Sequence, residues 1–127
     1  MAAEKRNVVC IEDEPEMIDL IRLILGRKGF ELTGAMGGRE GPEAIRRVRP
    51  DLVLLDLRLP VIDGLEVCKK VKADEKLKDI PIILFTASMN SIIDRVKEVG
   101  ADGYLIKPFN QEQLAAVLKK FLDKEKE

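Results

Sequence analysis

Glu12, Asp13 and Glu14 follow directly on a short apolar run. Asp56 ends the stretch Leu52-Val53-Leu54-Leu55, Thr86 follows Phe85, and Lys107 stands between Ile106 and Pro108. A carboxylate at the end of an apolar run needs a partner, because burying an uncompensated charge is expensive. If Glu12, Asp13 and Asp56 sit within a few ångströms of one another they repel, and one tends to take up a proton. Lys107 offsets one of those charges, and a divalent cation would offset the other two. An acid-rich, all-oxygen donor set suits Mg²⁺, which keeps several waters and takes only one or two carboxylates directly. A carboxylate surrounded by such an ion, a lysine and a hydroxyl can bind phosphoryl oxygens in line with a nucleophile. Aspartate can itself be that nucleophile and form an acyl phosphate.

Taken singly, each group has a plainer reading. The three acids precede Pro15 and suit a helix cap and dipole complement as well as a ligand set. Thr86 alone fits a strand-end hydroxyl, Lys107 a surface lysine or structural counter-ion, and Asp63-Gly64 a turn and cap. The functional reading rests on their being brought together.

The elements that would do so are legible as an alternation. Five apolar runs, at residues 8–11, 31–35, 52–56, 82–86 and 104–106, read as strands; three are continuous in Val, Ile and Leu, as strands buried on both faces are. Between and after them, amphipathic stretches at 17–25, 65–71, 92–99 and 114–122 carry the helical period, the first expected to end at Gly26 and Gly29. Gly37, Gly38, Gly41 and Pro42 crowd the second helix, which is expected to begin near Pro42 after a loop. A strict β-α alternation of this length implies a parallel sheet covered by helices on both faces. Ligands of such sheets bind beyond the carboxyl ends of the strands, where the acids, Thr86 and Lys107 all fall.

Composition limits the alternatives. The 127 residues suffice for one domain, with 46% hydrophobic and 35% charged residues and a net charge of −1. Residues 1–6 are expected to be a flexible start and 123–127 the frayed end of the last helix. A near-neutral balance supplies no global field for nucleic acid or membrane. Arg46, Arg47 and Arg49 form the densest basic stretch and read mainly as a solvated helix face and exit turn, with an anion patch as the lesser reading. The apolar runs are far too short to span a bilayer and the polar start has no signal-peptide core, so a cytoplasmic location is expected. Cys10 and Cys68 are too few for a disulfide framework and read as reduced thiols. Histidine is absent, which removes Ser-His and Cys-His pairs and histidine metal sites from this chain.

Over nearly its whole length the sequence resembles the response-regulator receiver domains, the family of the single-domain chemotaxis regulators. The residues that carry the likeness are Glu12-Asp13, Asp56 with Pro60 and Asp63-Gly64, Thr86-Ala87, and the run from Gly100 through Tyr104, Lys107 and Pro108 to Phe109. The resemblance implies a flavodoxin-like doubly wound (βα)₅ fold with strand order 2-1-3-4-5. It implies that Asp56 accepts a phosphoryl group from a sensor histidine kinase or phosphotransfer protein. Asp13, Asp56 and the backbone carbonyl of Arg58 would bind Mg²⁺, with Glu12 acting through a metal-bound water. Lys107 would pair with Asp56 at rest and with a phosphoryl oxygen afterwards, preceding a cis peptide to Pro108. Thr86, beside Ala87, would swing toward the phosphoryl group and Tyr104 would turn inward, altering the surface of the fourth helix, fifth strand and fifth helix for a downstream protein. A half-buried Tyr104 with no signalling role is the plainer alternative.

Glu12 stands where the family more often has aspartate, and the long cationic Arg58 two residues past the acceptor leaves the lifetime of a phosphorylated state open. The resemblance further implies a protein that is not an enzyme in the ordinary sense, a monomer or weak dimer without direct nucleic-acid or membrane binding. A receiver belonging to a longer regulator with a DNA-binding or enzymatic output is the alternative. A binding-only pseudo-receiver is opposed by the intact Asp56, Thr86 and Lys107, and a small phosphatase by the missing second general acid. Met89, Ile92 and Ile93 exceed what one helix face needs, so one isoleucine is expected on a partner surface, with core packing of both as the alternative.

Overall fold

The computed structural model describes residues 6–58, 64–86 and 92–122, without the side chains at positions 92, 93 and 95. Five strands alternate with five helices: β1 (Arg6–Ile11), α1 (Pro15–Arg27), β2 (Phe30–Ala35), α2 (Glu40–Val48), β3 (Leu52–Asp56), α3 (Gly64–Ala73), β4 (Ile82–Thr86), α4 (Ile92–Val99), β5 (Gly103–Ile106) and α5 (Gln111–Leu122). The strands form one sheet in the order β2-β1-β3-β4-β5, and every pairing is parallel. This is the flavodoxin-like α/β architecture.

The two-residue period of the strands divides the core. Val8, Cys10, Leu52, Leu54, Ile83 and Phe85 pack with α1 and α5, while Val9, Ile11, Val53, Leu55, Ile82 and Leu84 pack with α2, α3 and α4. All five residues of β3 and of β4 are buried, which is why those runs are continuously apolar. Because β1 pairs with both β2 and β3, the chain reverses its direction across the sheet beside β1. A crevice opens at the carboxyl edge at such a reversal.

Several boundaries differ from the sequence expectation. Arg6 is not part of a loose start: it begins β1, and its guanidinium donates to the Leu122 carbonyl at 2.8 Å. Gly26 does not end α1, which continues to Arg27 and leaves through Lys28 and Gly29. The second helix begins at Glu40, two residues before Pro42. There Gly41 marks close packing instead of a break, since a Cβ on it would come within 2.6 Å of Ile11 Cδ1. Pro42 lies in the first turn, where its missing N–H is no loss. Residues 1–5 and 123–127 lie outside the described residues, as do Pro60, Asp63, Ala87 and Met89; the side chains of Ile92 and Ile93 do likewise. Among the described residues no helix is long and apolar enough to cross a membrane.

Candidate phosphoryl and metal site

Each polar group at the carboxyl edge is delivered by the end of a buried strand. β1 runs out at Ile11, and the Glu12 amide donates to the Ala35 carbonyl at 2.9 Å, carrying the parallel pairing one residue further. Glu12 is thereby drawn inside and is fully buried, while Asp13 is exposed. Asp56 is the last residue of β3 and is 4% exposed. Thr86, the last residue of β4, is equally buried, and its carbonyl accepts the Lys107 amide at 2.7 Å. That bond brings the lysine in beside the acids.

Carboxylate oxygens of Glu12, Asp13 and Asp56 all lie within 4.8 Å of one another. Lys107 Nζ donates to Glu12 Oε1 at 2.8 Å and to Asp56 Oδ2 at 3.3 Å. The ammonium also stands 4.8 Å from the centre of the Phe85 ring, and that ring meets Phe109 edge-on. The family pattern placed Lys107 on Asp56 at rest; here the shorter bond is to Glu12. The Asp56 carboxylate is oriented from its other side, where Oδ1 accepts the Arg58 amide at 2.9 Å. Glu12 Oε2 accepts the Glu14 amide at 3.3 Å, whereas Glu14, the residue that starts α1, makes no side-chain cap bond. The acids are therefore not simply a helix cap.

Gly64 explains its own identity. A Cβ there would overlap the carbonyl oxygen of Asp56 and approach Leu57 Cα to 2.8 Å, so α3 starts against the backbone of the candidate acceptor. The Gly64 amide donates to the Leu57 carbonyl at 3.1 Å, fixing that approach.

The electrostatics follow from burial and crowding. Burial lifts Glu12 from its ordinary 4.5 to about 7; the Lys107 hydrogen bond opposes that rise, and Asp56 and Asp13 add to it. Burial works against the charge of Lys107, but the Glu12 hydrogen bond and the charge of Asp56 outweigh it, holding its pKa above the ordinary lysine value. One cation thus faces three acids. The donor set fits a hard divalent cation: the ligand atoms are all oxygens, they converge, and exposed Asp13 keeps one side open to solvent.

Sequence reasoning missed the Phe85 ring beneath Lys107, although an aromatic directly before Thr86 was a visible sign. It also missed Lys72, whose Nζ donates to the carbonyls of Lys78 (3.0 Å) and Ile80 (2.9 Å) and to Asp102 Oδ2 (2.8 Å) at the far end of the sheet. The Lys107–Pro108 peptide is cis, as expected, and Tyr104 is 39% exposed on β5.

Residues 8–119 match the family described as response regulator receiver domain. Over 118 residues the chain is 36% identical to the DNA-binding dual master transcriptional regulator RpaA of a Synechocystis species. The aligned part is 91% of this chain and 48% of that protein. Over 117 residues it is 33% identical to the DNA-binding response regulator MtrA of Mycolicibacterium smegmatis, covering 91% of this chain and 50% of the relative. The chain therefore spans about half the length of these curated relatives. Among solved structures, the chemotaxis protein CheY4 of Vibrio cholerae superposes with a TM-score of 0.87 at 30% identity, covering 94% of this chain and all of that one. The receiver domain of the sensor histidine kinase PA1611 of Pseudomonas aeruginosa, solved with magnesium in its active-site cleft, gives 0.87 at 28% identity and covers 94% and 99% of the two chains. With its matched sequence, sheet order and edge constellation, this chain belongs to the response-regulator receiver-domain family.

Proposed function

We propose that this single domain accepts a phosphoryl group on Asp56 in a Mg²⁺-dependent reaction, from a phosphohistidine on a sensor kinase or phosphotransfer protein. The observation that carries the reading is the convergence of Glu12, Asp13 and Asp56 within 4.8 Å, with Lys107 bonded to two of them. An Asp56 oxygen attacks phosphorus, the bond from phosphorus to the donor's imidazole nitrogen breaks, and the imidazole leaves with a proton. Asp13, Asp56 and the Arg58 carbonyl would hold Mg²⁺, and Glu12 would contact it through water. Bound there, the ion would neutralise charge on the transferring oxygens.

Lys107 is already within reach of Asp56 and turns from its carboxylate to a phosphoryl oxygen. Thr86, at the end of the neighbouring strand, supplies a hydroxyl to another, beside Ala87. Phosphorylation adds about −1.5 to −2 charge at the mouth of the sheet. Only the conformer that places Thr86 and Lys107 against those oxygens gains the new bonds, so its population rises. A preference of about 5.5 kcal/mol takes a 1:99 mixture to 99:1. Exposed Tyr104 lies next to Lys107's strand end and turns inward with Thr86, changing the α4-β5-α5 surface that a target protein reads. Gly64 lies against the backbone of Asp56 and Leu57, and Pro60 and Asp63 have only the structural part that the family likeness implies. The protein acts in the cytoplasm as a phosphoacceptor that assists its own phosphorylation and dephosphorylation, as a monomer or weak dimer. The half-length match to RpaA and MtrA favours one second reading, in which a separate output region follows this receiver in a longer chain.

Intact-mass measurement after incubation with acetyl phosphate tests the reading. One added phosphoryl group is expected with Mg²⁺, none after chelation, and none in Asp56→Asn. Addition that persists in Asp56→Asn would overturn it.

A further inference from the structure

At the end of the sheet opposite Asp56, the exit of α2 and the turn after α3 form a half-open cavity of about 210 Å³ lined by exposed Arg46, Arg49 and Lys76 together with Asp74 and Leu77. Three of those five side chains are cationic, and the single acid is already engaged. Asp74 Oδ1 accepts the Lys76 amide at 2.9 Å, and its Oδ2 lies 3.8 Å from Arg46 Nε. Among the described residues neither Arg49 nor Lys76 has an acidic partner. The lining thus carries a surplus of two positive charges.

The plain explanation is that cations complement the carbonyl end of a helix. It covers Arg46 and Arg47, which lie in the last turn of α2. It covers Arg49 and Lys76 less well. Arg49 is the only non-glycine residue among those described with a positive φ, 50°, at the point where the chain leaves α2. Glycine or asparagine takes that conformation at lower cost, so an arginine there stands against a local preference. What it adds is a guanidinium on the cavity wall, facing the Asp74-anchored turn that carries Lys76.

We propose that this cavity is an anion site for a phosphate-class dianion, free or at the end of a small monoester, held by Arg46, Arg49 and Lys76. The space is smaller than that taken by drug-sized ligands, about 300 Å³ and above, and suits a compact group. Arginine forks match phosphate oxygens in pairs, and the two surplus charges match a dianion. The site shares no residue with the carboxyl-edge acids and does not depend on how they function.

The test is amide-resolved NMR titration of the full chain, without Mg²⁺ and at constant ionic strength, with inorganic phosphate and separately with glycerol phosphate. Saturable shifts are expected at residues 46–49 and 74–77, weakened about tenfold in Arg49→Gln and unchanged in Arg27→Gln and Asp56→Asn. Tighter binding of glycerol phosphate identifies a monoester site, and equal binding a site for phosphate alone. Arg49→Gly keeps the test independent of folding: it relieves the left-handed backbone, so it should melt no lower than the native chain while losing the anion. Shifts that match a chloride titration, or survive in Arg49→Gly, overturn the proposal.

Discussion

The two ends of the sheet each carry a part-buried lysine set against acids, and they are balanced differently. At the amino end Lys72 has three acceptors at 2.8–3.0 Å, two of them uncharged carbonyls, and one acid, Asp102. Asp102 in turn accepts the Ile82 amide at 2.8 Å, and Asp51 accepts the Asn7 amide at 2.9 Å. Within the Lys72–Asp102 cluster the one cation meets one acid, and the lysine ties α3, the turn after it and the start of β5 together. At the carboxyl end Lys107 faces three carboxylates whose oxygens lie within 4.8 Å of one another. A closed set of charges holds strands in place. An unclosed one holds a place for something else.

The largest effect is expected from Gly64→Ala, since the new methyl meets rigid backbone at Asp56 and Leu57. A loss of about 3 kcal/mol in urea unfolding should follow, with disturbed chemistry at Asp56. A neutral outcome would mean the carboxyl end tolerates shifts that its packing forbids. Next comes Lys72→Met, which strands two carbonyls and a carboxylate. About 2 kcal/mol should be lost while Asp56 still takes a phosphoryl group at the native level, because the amino end serves structure alone for that reaction.

How far these ends were readable from sequence differs in the same way. Leu52-Val53-Leu54-Leu55 announced a buried strand, so Asp56 at its end stood out, and Thr86 and Lys107 were placed by the same logic. The strand order β2-β1-β3-β4-β5 entered through family likeness, not periodicity. Lys72 meeting Asp102 was invisible, because two ordinary surface-type residues lie thirty positions apart in the sequence. That Lys107 bonds more closely to Glu12 than to Asp56 depends on where the side chain of Glu12 ends, which no spacing rule reports. The early start of α2 was missed because Gly41 read as part of a loop and Pro42 as the helix start, when the glycine's lack of a side chain is what lets the helix lie on Ile11.

A smaller effect tests the charge surplus through pH. Glu12 has a folded pKa of about 7 against 4.5 in the unfolded chain, so the folded state binds its proton more tightly. Metal-free stability should fall as pH rises from 4.5 to about 7 and then level. Glu12→Gln should flatten that window in urea melts, and a native profile rising over the same range would contradict the burial of an acid in excess. The smallest effect concerns the thiols. Burial pushes Cys68 up to about 11 and Cys10 higher still, so neither should react with a disulfide reagent at neutral pH until the domain opens.

That the carboxyl edge is left with uncompensated negative charge, able to take a divalent cation, is tested most directly by thermal melting against Mg²⁺ at fixed ionic strength. The native chain and Lys72→Met should both rise in Tm along a saturable curve, because a ligand that binds only the folded state stabilises it, and Asp13→Asn should not respond. A native Tm indifferent to Mg²⁺, or an Asp13→Asn curve that rises like the native one, would contradict it.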